Sequence, residues 1–162
     1  MSDKTMINIQ KFSLGATAAI ITSMGLIAGL NQGDNARAGI VTGLLIVALA
    51  DNISDSFSFL MYKESEGASR HDLKSYTCAN FIVRLFLVFT FVLIVLLFSS
   101  NAAFIVSSAW GLLLLAILSY LIAKSEKINP LRTVVWNLAI ALMVIAGSKL
   151  LGNLISKMII RL

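Results

Sequence analysis

The chain has 162 residues, of which 58% are hydrophobic and 13% charged, with a mean hydropathy of +0.89 and a formal net charge of +5. A charged fraction this far below the quarter typical of soluble domains excludes a soluble globular protein and points to an integral membrane protein. The basic excess does not point to nucleic acid, because it sits in short tails and connections flanking apolar runs and forms no patch interleaved with aromatics.

Five runs reach or approach the roughly 20 residues that cross a hydrocarbon core: 12–30, 38–62, 80–98, 102–123 and 132–155. The expectation is one all-α bundle of five transmembrane helices and no soluble domain. Residues 1–11 are a short polar lead. Ala36-Arg37-Ala38 has the small-x-small form of a signal-peptidase site, but the run before it is longer than a signal core and the cut would fall late, so the first helix is expected to be retained. Asn31 to Arg37 (NQGDNAR) is a tight polar turn joining spans one and two. Residues 63–79 form a charged connection holding the single histidine, His71, and Ser99-Ser100-Asn101 joins spans three and four. Asn129 followed by Pro130, the only proline, reads as an N-cap and first helical residue for the last span.

With the N-terminus inside, the inner segments hold Lys4, Lys11, Lys63, Arg70, Lys74, Lys124, Lys127 and Arg132, against Arg37, Lys157 and Arg161 outside. This bias predicts an N-in, C-out orientation. Arg84 and Lys149 fall within spans and are expected to snorkel toward the nearer interface. With no organellar targeting segment in view, a prokaryotic plasma membrane is the expected location.

The most informative feature is a pair of acids, Asp51 and Asp55, inside the second run. Each costs roughly 2.5 to 3.5 kcal/mol to place at the centre of a bilayer, so two on one helix call for a role. At 100° per residue, Asp51, Ser54, Asp55 and Ser58 share an arc of about 100°, forming one polar stripe beside Asn52. Hard oxygens spaced about 6 Å apart along a helix suit a divalent cation or a proton. Met24 and Met61 could add soft thioether ligands, while Glu64, Glu66, His71 and Asp72 could gather ions at the inner mouth. The alternative is structural neutralisation of the acids, with Arg84 of span three as the candidate partner.

No HExxH, GxSxG or P-loop occurs, so an enzyme is not expected. Cys78 is the only cysteine and excludes an internal disulfide. Gly25, Gly29 and Gly33, then Gly39 and Gly43, recur every fourth residue and permit close helix packing, either within one chain or between two copies.

GLIAGLNQGDN at the end of span one, YKESEG after span two and NPLRTVVWNLAIALMVIAGSKLLGNLI near the C-terminus resemble the vacuolar iron transporter family. The resemblance implies a five-span homodimer that exports ferrous iron or manganese from the cytosol in exchange for protons, along a path between the first two spans. It implies no permanently bound cofactor, with lipid, divalent cations, protons and a second copy as partners. A gapless alignment places Ala18 where the family has an aspartate and Asp55 where it has a metal-facing methionine. The glutamate-rich cytosolic metal-binding helices of the family are here cut to residues 63–79. Carboxylate in place of thioether favours manganese, magnesium or protons over iron. The alternative function is a non-transporting assembly or regulatory protein on the same scaffold.

Overall fold

In a bilayer every backbone N–H and C=O must be satisfied within the chain, so long apolar runs become helices. The computed structural model describes residues 3–32, 36–65 and 70–160, and these form five α-helices with no strand among the described residues: α1 (Asp3–Leu30), α2 (Ala36–Ser65), α3 (Arg70–Leu97), α4 (Ser100–Ser125) and α5 (Pro130–Ile160). Four are long and apolar enough to cross a membrane; the described apolar stretch of α1 is the shorter Gly15–Leu30. This is an all-α membrane protein of multi-pass type.

Helix α1 is the hub and packs against all four others. Its buried side chains Ala16, Ala19, Ile20, Ser23, Met24, Ile27 and Ala28 fall on several faces, as a surrounded helix requires. Along α2 the buried residues Ala36, Ile40, Leu44, Ala48, Asn52 and Ser56 recur every fourth position, and along α4 so do Ala103, Ser107, Gly111, Leu115, Ser119 and Ala123. Each of these helices thus buries one narrow stripe and leaves large apolar side chains such as Ile46, Leu49, Ile105 and Leu113 outward for lipid.

Local chemistry sets the helix ends. Asn129 caps α5, its Oδ1 accepting from the backbone N–H of Leu131 at 3.1 Å and of Arg132 at 3.4 Å, and Pro130 is the first helical residue, as its fixed φ favours. At the end of α4, Lys127 adopts a left-handed φ of 56° while the Ile128 N–H reaches back to the Ala123 carbonyl at 3.0 Å, closing a Schellman-type cap. Arg37 at the start of α2 donates to the Phe98 carbonyl at 2.5 Å, placing a cation at the negative end of α3.

The contacts fix the directions. Arg37 with Phe98, and Asn52 with Phe81, make α2 and α3 antiparallel. Gly25 lies against Val144 and Gly29 against Ser148, making α1 and α5 parallel, so the described helices alternate and the first and last run the same way. Two expectations shift here. Residues 63–79 are not a loop throughout, since α2 continues to Ser65 and α3 begins at Arg70. Gly25, Gly29 and Gly43 pack within the chain, against α5 and against Leu26 and Leu30 of α1, whereas a Cβ at Gly39 would meet nothing within 4 Å.

Candidate functional site

The antiparallel register of α2 and α3 brings Asp51 and Asp55 opposite Arg84. One guanidinium serves both acids: Nη2 donates to Asp51 Oδ2 at 2.8 Å and Nη1 to Asp55 Oδ2. Two carboxylates one turn apart present their oxygens at a separation that the two arms of a guanidinium can span. Arg84 therefore does not snorkel; it is 4% exposed, held inward by charge, while Lys149 lies with its Nζ 5.0 Å from the Phe104 ring centroid.

Depth makes the cluster consequential. In the span Ala36–Tyr62, Asp51 lies about 3 Å and Asp55 about 9 Å from the midpoint at 1.5 Å per residue. A span centred on the bilayer would carry both acids within the half-thickness of about 15 Å of the hydrocarbon core. Their side chains nevertheless remain 42% and 44% exposed within one chain.

The stripe expected on α2 divides in the structure. Ser54 and Ser58 point outward and are exposed, Asp51 and Asp55 lie at the edge, and Asn52 and Ser56 are buried. Asn52 Nδ2 donates to the Phe81 carbonyl at 2.9 Å, tying α2 to α3, while its Oδ1 has no partner among the described residues. Ser56 Oγ, Thr77 Oγ1 and Asn80 Oδ1 are likewise buried and without a partner among the described residues, the last of them directed at Gly15 of α1. A small cavity of about 10 Å³, lined by Ala19, Val47, Ala48, Asp51, Asn52, Arg84 and Val88, adjoins the ion cluster.

Gly15 belongs to this site although its residue type carries no chemistry. A Cβ there would overlap Asn80 Oδ1 and come within 2.9 Å of Arg84 Cδ. Only a bare backbone lets α1 close over the polar interface. Gly15, Ser56, Thr77 and Asn80 were not visible as site residues in sequence; the usable signal was the four-residue spacing of Asn80, Arg84 and Val88, which makes Arg84 part of a buried stripe.

Other expected ligands lie apart. Met24 is 1% exposed and packs where a Cβ at Gly111 would overlap its Sδ, so its thioether fills the α1/α4 interface. Met61 and Glu64 are exposed near the C-terminal end of α2. Glu66 lies outside the described residues, as do the side chains of His71 and Asp72. Among the described residues no group of three or more His, Cys, Asp or Glu gathers as a metal cage.

Compared with known proteins, the chain matches no family model, no curated protein and no solved structure. The vacuolar iron transporter expectation thus rests on the quoted segments alone.

Proposed function

We propose that this protein moves cations across the membrane and that the cluster of Asp51, Asp55 and Arg84 is where it does so. The observation that carries the reading is one guanidinium shared by two carboxylates on helices apolar enough to cross a membrane, both acids still half-exposed. A purely structural ion pair needs only one acid per base, and the second leaves a negative charge for a proton or metal ion to match. Manganese or ferrous iron, exported in exchange for protons by a homodimer, is the proposed cargo; carboxylate and amide oxygens favour manganese of the two. An N-in orientation would set Glu64, Glu66 and His71 at the entrance. Ser54 and Ser58, outward beside the acids, would join the pathway where a second copy covers this face.

Flux into proteoliposomes under a pH gradient tests the proposal, comparing manganese, iron, cobalt and magnesium for the native chain and for Asp51→Asn/Asp55→Asn. Protein-dependent uptake is expected for the native chain and its loss in the double variant. Uptake unchanged in the double variant would remove the acids from the mechanism.

A second reading has its own support, since Arg84 engages both acids and leaves neither without a partner. In that reading the triad only holds α2 to α3 in a non-transporting assembly protein. Absence of uptake for every cation, together with rescue of folding in Asp55→Asn/Arg84→Gln, would favour it.

A further inference from the structure

The charges at the site do not cancel. Asp51 and Asp55 bring two negative charges and Arg84 one positive, and the rest of the adjoining cavity, Ala19, Val47, Ala48, Asn52 and Val88, brings none. Among the described residues, the site in each chain is left with a single unit of formal negative charge.

We infer that Arg84 is a tethered counter-cation: it fills the carboxylate pair when no ion is present and limits each chain to one unit of cation charge. This rests on the cation-moving reading and adds the stoichiometry. A proton neutralises one triad, whereas a divalent ion on one triad would leave a net positive charge in a medium that solvates it poorly. A divalent ion shared between the triads of two chains leaves none, so Mn²⁺ is taken by a pair of chains.

A spare oxygen lies beside the triad. Asn52 is 2% exposed, lines the cavity of about 10 Å³ together with Asp51 and Arg84, and keeps its Oδ1 unpartnered among the described residues. The space is at the lower limit for one water molecule and is lined mostly by Ala19, Val47, Ala48 and Val88, so what it adds to the triad is the single free oxygen of Asn52. The two carboxylates keep 42% and 44% of their surface uncovered within one chain, the surface that a second chain's triad would have to meet for an ion to be shared.

Mn²⁺ binding to the purified full-length protein, followed by electron paramagnetic resonance of free Mn²⁺, reads the stoichiometry. The native chain is expected to bind one Mn²⁺ per two chains. Arg84→Gln, with two uncompensated acids, is expected to double this to one per chain. Asp55→Asn, whose triad becomes a neutral Asp51–Arg84 pair, is expected to weaken binding at least tenfold, and because that pair is kept it decides the matter even if Arg84→Gln does not fold. One Mn²⁺ per native chain, an unchanged stoichiometry in folded Arg84→Gln, undiminished binding in Asp55→Asn, or no binding in either native or Arg84→Gln protein overturns the inference. If the native chain binds none but Arg84→Gln gains one site per chain that Asp51→Asn abolishes, Arg84 is still the counter-cation and the divalent-transport reading falls.

Discussion

Arg84 and Asp51, 33 residues apart in the chain, meet at 2.8 Å across the α2/α3 interface with the arginine 4% exposed and the aspartate 42% exposed. That asymmetry sets what each substitution costs. Removing the arginine strands two carboxylates, whereas removing one acid leaves a matched pair. Breaking a buried ion pair costs about 3–5 kcal/mol, and the half-exposure of the acids places Arg84→Ala near the lower end. Thermal unfolding in detergent should show Arg84→Ala far more damaging than Asp55→Asn, with Asp51→Asn/Asp55→Asn/Arg84→Gln recovering most of the loss.

Gly15 should behave as a residue of the site. Gly15→Ala introduces a methyl into Asn80 Oδ1 and the Arg84 stem, and either α1 withdraws or Arg84 shifts away from its acids. Overpacking of this kind costs about 1–3 kcal/mol. The expected outcome is a lower unfolding temperature and altered flux, where Ala substitution at an exposed helix glycine such as Gly39 lowers neither.

The glycine contacts separate packing within a chain from packing between chains. Gly152→Leu would drive a side chain into the Gly29 carbonyl of α1 and should prevent stable folding. A Cβ at Gly39 meets nothing within 4 Å, and Gly39→Leu at this exposed position should leave the fold within about 0.5 kcal/mol of native. Should Gly39→Leu change the apparent mass in detergent without lowering thermal stability, its face is a contact between copies.

Two helix ends give stability predictions independent of function. Asn129→Ala deletes the acceptor for two N–H groups at the start of α5 and should cost about 1 kcal/mol. Lys127→Gly relieves a left-handed backbone at a side-chain-bearing residue and should gain about 0.5–1 kcal/mol. Unfolding midpoints in detergent should move in opposite directions for the two.

Much of the fold is determined by the sequence alone. Run length and hydropathy suffice for five helices, because the backbone has no other way to satisfy its polar groups in lipid, and Asn129-Pro130 marks the start of α5 through chemistry confined to adjacent residues. The cost of a carboxylate in hydrocarbon likewise singles out Asp51 and Asp55 without coordinates. Only the tertiary structure decides what they face. Composition leaves Arg84 free to snorkel or to pair, and the choice depends on the α2/α3 register, which a one-residue slip would rotate by about 100°. The glycines needed the same information: identical four-residue spacing puts Gly29 against Ser148 of α5 and leaves Gly39 open, because spacing defines a face but not its neighbour. Met24 shows the limit most plainly, since a thioether has the same chemistry whether it points at a metal or, as here, packs against Gly111 in the core.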